Sequence, residues 1–401
     1  MALRSSWEGF LQFRKKPKTN APVHWVKPTQ VCEVAFLDWT EEGTLRQPIF
    51  LGLREDKKAH AVKRDVPADV STEQAIITKH VSAARKPMAE PLPAGHFTNL
   101  DKIYWPHEKY TKGDLLNYYH RVSSFLLPYL RDRPFVLNRH PNGILGPNFF
   151  QKNVGAQPPP EFVKTVSLPS KSAGKNISYL ICQDERTLLY LANLGCIEMN
   201  VWNSRLESLD KPDYLVIDLD PIDVPFRSVV ETAQSIRKLL ERGCGECFCK
   251  TSGQRGLHIF VPLAAKYDID QAGSFAEIIA RQVHAIRPQE TSMVRSPAQR
   301  RGLIYLDYLQ NRRGQTMAAP YSVRPVERAL VSTPLRWSEV TKSLDPTRFD
   351  MMSIPRRLDA VGDLWEPVLG KGIDLRKCIK VDEPAALLTK GEAHVAASSA
   401  S

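Results

Sequence analysis

The sequence predicts a mixed α/β (α+β) body preceded by a small all-β unit, and three observations predict it. Short β-branched runs at 214–217, 247–251, 257–261 and 303–309 are interleaved with helical apolar spacing at 229–240 and 275–286. At the N-terminus an alternating run at 31–36 and a second extended run at 45–53 flank a turn at 38–43, which reads as a separate β unit. Between Phe50 and Phe97 lie 46 residues without Phe, Trp or Tyr. The chain average would place about four aromatics there, so a boundary falls in this stretch. The predicted division is a β unit over 1–65, a basic linker over 66–92, the α/β body over 93–380 and a frayed Ala/Ser-rich tail over 381–401. One short helix is expected in the linker at 71–79.

Each element of the body follows from local chemistry. Thr111-Lys112-Gly113-Asp114 has the outline of a capping box, and Leu115, Leu116, Tyr119, Val122, Phe125 and Leu126 follow at helical spacing, with Pro134 closing the region. Tyr214-Leu215-Val216-Ile217 reads as a buried strand. Val229, Val230, Ala233, Ile236, Leu239 and Leu240 then trace one helix face, and Gly243 sits where a C′ residue belongs.

Composition narrows the function. Fifty-five Lys and Arg against 44 Asp and Glu give a net charge of +11 and a pI near 9.2, the balance of a protein that handles polyanions. There is no apolar run long enough for a membrane span and no unbroken apolar stretch of signal-peptide type, which predicts a cytoplasmic protein. The seven cysteines, an odd number scattered along the chain, form no disulfide framework. Cys244-Gly245-Glu246-Cys247-Phe248-Cys249 has no second Cys-x-x-Cys and no nearby His pair to complete a zinc site.

The sharpest chemical signal is Asp218-Leu219-Asp220-Pro221 at the end of the 214–217 strand, because residues i and i+2 of a strand share a face. Two carboxylates in one ion-sized space repel and raise each other's pKa unless a cation joins them, and hard oxygen donors suit Mg²⁺ or Mn²⁺. An isolated Asp-x-Asp can equally be two solvated carboxylates at a turn. Asp307, a third carboxylate within an apolar strand, favours a two-metal phosphoryl-transfer site. Thr251 through His258 forms a glycine-containing loop between strands, in which Ser252 and Arg255 add side-chain donors for phosphates. By itself such a loop is an ordinary hairpin and His258 an ordinary core histidine. Arg295, Arg300, Arg301, Arg312, Arg313 and Arg324 surround Asp307 in sequence, with Gln310 close by. Lys112, in the first turn of a helix, opposes the macrodipole unless an anion sits there, so its removal is expected to leave the melting temperature unchanged or slightly raised. Arg139, His140, Asn142, Phe149 and Phe150 place adjacent aromatics beside a basic loop, the composition of a base-stacking platform.

These runs resemble the polymerase module of bacterial DNA ligase D, a member of the archaeo-eukaryotic primase superfamily used in non-homologous end joining. The matching segments are Thr98-Asn99-Leu100-Asp101-Lys102, Thr111-Lys112-Gly113-Asp114, Phe149-Phe150-Gln151-Lys152, Trp202-Asn203-Ser204-Arg205, Asp218-Leu219-Asp220-Pro221, Thr251 to His258, Asp307-Tyr308-Leu309-Gln310-Asn311 and Tyr321-Ser322-Val323-Arg324. The resemblance implies a primase-like core of mixed sheets flanked by helices, with Asp218, Asp220 and Asp307 as catalytic metal ligands. It also implies that Asn200, Ser252, Arg255, His258, Arg300, Gln310 and Arg324 line the incoming nucleotide. Lys102 and Lys112 would hold a 5′-phosphate, and Arg139, Phe149 and Phe150 would contact template DNA. Separately, Trp25-Val26-Lys27-Pro28, Glu33-Val34-Ala35-Phe36, Trp39-Thr40 and the run from Arg46 to Lys57 resemble the end of the ligase OB domain of the same enzyme, which implies a partial OB-fold.

Three positions depart from the family pattern. Asn200 stands where many members carry histidine, Arg255 replaces a usual lysine, and Pro325-Val326 interrupts a place where a second arginine is common. No Lys-x-Asp-Gly occurs anywhere, so the nucleophile that a ligase uses to attach AMP is missing. The implied activity is template-dependent nucleotide addition from nucleoside triphosphates, favouring ribonucleotides, at gaps and double-strand breaks, with Mn²⁺ or Mg²⁺ as cofactor. The implied partners are Ku and the rest of the end-joining ligase, near the nucleoid and not at a membrane. The rival reading is a catalytically silent module that binds DNA ends.

Overall fold

The computed structural model describes residues 92–378, apart from 94, 156–157, 171–173 and 243–244 and with backbone alone at 376 and 378, together with four backbone strands within 31–54. The linker helix expected at 71–79, the tail over 381–401, Gly243 and Cys244 lie outside the described residues. The chain divides into two compact units, Met1–Pro87 and Met88–Ser401.

In the first unit, β1 (Val31–Ala35) pairs antiparallel with β4 (Ile49–Arg54) across an irregularity between Glu33 and Val34. The short strands β2 (Asp38–Trp39) and β3 (Leu45–Arg46) pair with each other.

The second unit opens with the antiparallel pair β5 (Ile103–Trp105) and β6 (Tyr110–Thr111), which runs straight into α1 (Lys112–Leu130). The predicted capping box is present. The Asp114 N–H donates to the Thr111 hydroxyl at 3.1 Å, and the Thr111 N–H donates to the Asp114 carboxylate at 2.7 Å. Strands β7 (Pro134–Arg139), β8 (Phe149–Gln151), β9 (Lys164–Ser170) and β10 (Lys175–Ile181) follow, then α2 (Glu185–Asn193) and β11 (Asn200–Trp202). After these come β12 (Tyr214–Pro221), α3 (Phe226–Glu241), β13 (Phe248–Thr251), β14 (Leu257–Pro262) and α4 (Ile269–Ile286). The remaining principal elements are β15 (Thr291–Ser292), β16 (Ile304–Asp307), β17 (Thr316–Ala318), β18 (Pro334–Leu335) and α5 (Ile354–Val361).

Two six-stranded sheets result. The first runs β17-β11-β7-β10-β9 with β8 added to β7, and the second runs β15-β16-β12-β14-β13-β18. Every pairing is antiparallel except β15 with β16. The two-residue period of β12 sorts its side chains. Leu215, Ile217 and Leu219 join a core with Val229, Ala233 and Ile236 of α3 and Phe275, Ala276 and Ile279 of α4. Tyr214 and Val216 join the other core, shared with residues of the first sheet. Asp218 and Asp220 are in phase with this second pair and so face the first sheet.

Several boundaries differ from the sequence expectation for identifiable reasons. β12 does not stop at Ile217. It continues to Pro221, because β16 offers ladder partners to residues 218–221 that no local pattern reveals. Pro134 opens β7 instead of only closing a helical region, a place where its missing N–H is tolerated. α4 starts at Ile269 and not at 275, since Asp268 and Gln271 supply a capping box of their own. Phe149 and Phe150, expected beside a basic loop, lie on a short strand paired with β7.

Candidate active site

The site is built on a transverse row of the second sheet. Asp307 of β16 lies directly opposite Asp218 of β12, Asp218 opposite His258 of β14, and His258 opposite Lys250 of β13. Asp220 sits two residues along β12 on the same face. Directly opposed residues have Cβ atoms about 5 Å apart, so the chemistry of four strands is brought into one line.

Electrostatics along the row are uneven. Burial, then the charges of Asp307 and Asp220, push the Asp218 carboxyl up to about 7. Burial also raises Asp307, opposed by the Leu309 N–H at 2.9 Å and the Gln310 amide at 3.0 Å. Asp220 accepts from Arg300 Nη2 at 3.0 Å, with the Arg300 guanidinium 4.3 Å above the Tyr305 ring. His258 Nε2 is 3.4 Å from Asp218 Oδ1. Burial holds the His258 imidazole well below its usual range, with Lys250 and Arg324 adding to the effect.

As placed, the three carboxylates turn toward Arg300, Gln310 and His258, and among the described residues no trio of His, Cys, Asp or Glu closes on one point as metal ligands. The donor set nonetheless fits a hard divalent cation. It consists of carboxylate oxygens, and the Asp218 carboxyl is raised first by burial and then by the charges of Asp307 and Asp220, which a cation between them would relieve.

Beside the row opens a cleft of about 180 Å³ lined by Asn200, Asp218, Asp220, Ser252, Arg255, His258, Gln310 and Arg324. Six of the seven residues expected on the nucleotide thus converge in one space. The seventh, Arg300, reaches it through Asp220. The loop after β13 is built tightly. The Ser252 N–H donates to the Gly256 carbonyl at 3.0 Å, while the Gly256 and Gln254 N–H groups donate to Ser252 Oγ at 3.0 and 3.1 Å. Gly253 has φ +73°, and a Cβ there would press on Arg324. At Gly256 a Cβ would lie 2.0 Å from the Leu219 carbonyl oxygen, so only glycine lets this loop close onto β12. Arg324 is clamped from behind, with Nε 3.0 Å from Glu198 Oε2 and Nη1 donating to the Ser252 carbonyl at 3.0 Å. Of the remaining arginines around Asp307 in sequence, Arg295, Arg301, Arg312 and Arg313 are exposed, and Arg313 pairs with Asp210.

The residues expected on DNA fall elsewhere in the unit. Lys102 is exposed and donates to Asn142 Oδ1 at 2.6 Å. Lys112 has a partner that the helix-dipole argument did not foresee. It is only 4 % exposed, and its Nζ donates to the Thr98 carbonyl at 2.7 Å. Burial, and then Lys102, lower its pKa. Phe149 and Phe150 are 40 % and 66 % exposed, yet successive residues of β8 point to opposite faces, so they do not form one platform. Phe149 has the Arg139 guanidinium 5.1 Å from its ring centre, and Arg139 is braced by donating to Leu194 O at 3.1 Å and Gln151 Oε1 at 3.2 Å.

Two residues in contact with the site escaped the sequence reading. Lys250, fully buried at the end of the row, looks from sequence like one more charge beside Cys249. Glu198 precedes Asn200 by two residues, and that spacing on an extended segment could have linked them. Cys247 and Cys249 are packed in the core under α3, where burial pushes the Cys247 thiol up to about 12 and holds the Cys249 thiol well above its usual range.

Two sheets enclosing a carboxylate row and a donor-lined cleft define a protein of the archaeo-eukaryotic primase-like class. Residues 111–365 match the family model described as LigD, primase-polymerase domain, and residues 4–57 match the ATP dependent DNA ligase C terminal region. The chain belongs to the LigD primase-polymerase domain family. Curated relatives include the multifunctional non-homologous end joining protein LigD of Pseudomonas aeruginosa, 32% identical over 370 residues covering 90% of this chain and 43% of that protein. The bifunctional non-homologous end joining protein LigD of Bacillus subtilis is 33% identical over 272 residues, covering 67% of this chain and 43% of that protein. The chain therefore spans less than half the length of these relatives. A solved structure of the polymerase domain from Mycobacterium tuberculosis ligase D in complex with DNA superposes with a TM-score of 0.64 at 27% identity, covering 70% of this chain and 99% of that one. Among the described residues no helix is long and apolar enough to cross a membrane.

Proposed function

We propose that the chain is a DNA-directed nucleotidyltransferase that fills short gaps and extends primer ends in bacterial end joining, favouring ribonucleotides. The observation that supports this best is the meeting of Asp218, Asp220 and Asp307 on one sheet face beside a cleft whose other walls carry Ser252, Arg255, His258, Gln310 and Arg324. Asp218, Asp220 and Asp307 would hold Mg²⁺ or Mn²⁺, which when bound would lower the pKa of a primer 3′-hydroxyl and neutralise part of the triphosphate charge. The residues of the loop after β13 and Arg324 would bind and orient the phosphates, with Arg324 kept rigid by Glu198. Asn200 would contribute a neutral contact. Lys102 and Lys112 would meet a 5′-phosphate, and Arg139, Phe149 and Phe150 would meet the template, with one aromatic on each face of β8.

In this reading residues 1–65 are a partial ligase OB-fold, 66–92 a linker, 93–380 the polymerase and 381–401 a tail. Ku and the remaining end-joining ligase are the partners, in the cytoplasm at the nucleoid. Sealing is not expected, because no Lys-x-Asp-Gly is present. Incubation with a gapped duplex, Mn²⁺ and labelled nucleoside triphosphates tests the proposal. Templated extension supports it, and duplex binding with no extension under any metal would replace it with the silent end-binding module. A protein–AMP adduct formed with ATP would overturn the exclusion of ligation.

A further inference from the structure

Beneath the cleft lies a side chain that the proposed reaction does not use. Lys250 is fully buried, with Phe260 as its nearest aromatic face at 5.6 Å from Nζ to the ring centre. Burial, followed by the charge of Arg324, lowers its pKa well below the usual lysine range. A buried amine is costly unless its hydrogen bonds are made, and here the partners are specific. Nζ is 2.8 Å from His258 Nδ1 and in close contact with Ser332 Oγ. The Ser332 hydroxyl donates to the Thr251 carbonyl at 3.0 Å, so its oxygen can only accept from the lysine. As an ammonium Lys250 has three donors and no acceptor, so in that form it donates on both sides.

That assignment fixes the histidine. A ring nitrogen that accepts a hydrogen bond carries no proton, so with Nδ1 accepting from Lys250 the neutral imidazole must carry its proton on Nε2. Nε2 is the atom 3.4 Å from Asp218 Oδ1, and the ring lines the cleft beside Ser252 and Arg255. The strand register holds the arrangement in place, because Lys250 and His258 are directly opposed across β13 and β14 while His258 and Asp218 are directly opposed across β14 and β12.

We propose that Lys250 is a positioning residue that locks His258 in the Nε2–H tautomer and in one ring orientation, so that the cleft always presents an N–H donor to the phosphates of the incoming nucleotide. The kinetic part of this inference rests on the nucleotide-addition reading, and the tautomer part does not.

The test uses the full chain. Long-range ¹H–¹⁵N correlation spectra of ¹⁵N-histidine-labelled protein should show His258 as the Nε2–H tautomer, with the Nδ1 resonance moving when Lys250→Met removes the donor. In nucleotide addition, Lys250→Met should raise the KM for nucleotide about tenfold, the scale of one misplaced hydrogen bond to a charged group, with kcat within about twofold. In a His258→Ala background the same substitution should change KM by less than about twofold, because the residue it acts through is gone. An Nδ1–H tautomer in the wild-type chain overturns the proposal, as does a Lys250→Met loss that adds fully to that of His258→Ala. If the variant does not fold, the wild-type tautomer decides alone. If the wild-type chain adds no nucleotide, the activity reading fails while the tautomer result still stands for or against Lys250.

Discussion

Replacing Gly256 by alanine should damage the candidate site from within the backbone. The new Cβ would sit 2.0 Å from the Leu219 carbonyl oxygen, roughly 1.3 Å inside an ordinary C···O contact of about 3.3 Å. Side-chain rotation cannot relieve this, since both groups are main chain or attached directly to it. Gly256 is held by its hydrogen bonds with Ser252, and Leu219 is held in ladders with β14 on one side and β16 on the other. Overpacking of this kind costs about 1–3 kcal/mol, which for a domain of this size lowers the melting temperature by roughly 2–5 °C. The effect on chemistry should be larger than the effect on stability. Leu219 lies between Asp218 and Asp220, so a shift of β12 moves both carboxylates, and a misplacement of about 1 Å costs on the order of 100-fold in rate. The assay is thermal unfolding together with single-nucleotide addition to a gapped duplex, with duplex affinity as the control. Wild-type melting and wild-type rate in Gly256→Ala would refute the reasoning. A fall in melting temperature with full activity would show that the loop, and not β12, absorbs the overlap.

Further outcomes follow from the same geometry. Asp218→Ala or Asp220→Ala should abolish nucleotide addition, as should removal of divalent metal by chelation, while duplex binding measured by mobility shift persists because the residues proposed to meet DNA lie elsewhere. Lys112→Ala should lower stability by about 1 kcal/mol, since it removes the part-buried hydrogen bond to the Thr98 carbonyl, whereas Lys102→Ala, at an exposed position, should leave the melting temperature unchanged and weaken binding only to duplexes that carry a 5′-phosphate; calorimetry and paired titrations with and without that phosphate separate the two. Asp213→Ala should cost about 3–5 kcal/mol in chemical denaturation, because it strands the fully buried Arg133, which also donates to the Asn203 carbonyl at 2.7 Å, and frees Arg205 from its 2.9 Å contact.

Much of the fold was legible because the relevant interactions are local. Thr111 and Asp114 are three residues apart, and reciprocal capping needs nothing beyond that spacing. The two faces of β12 follow from a two-residue period, which is why Asp218 and Asp220 could be placed together, and the apolar face of α3 follows from its helical period. Ser252, Arg255 and His258 could be read together as one glycine-containing loop, but their convergence with Gln310 and Arg324 came only through resemblance, since no period links that loop to residues 50 to 70 positions further along the chain.

What the sequence by itself determined is therefore the identity of the reactive groups and the face of each element on which they lie. The tertiary structure decided who stands opposite whom. Asp307 faces Asp218, Lys250 supports His258, Glu198 clamps Arg324, and Thr98 answers Lys112, and each of these pairs joins segments brought together by strand register or chain return. It also parted Phe149 from Phe150, because a residue's side depends on whether its segment becomes a strand, and β8 forms only by pairing with β7. Periodicity along the chain is set by the backbone geometry of neighbouring residues, whereas register across strands is set by the packing of whole faces, where a slip of one residue would turn every side chain to the wrong side.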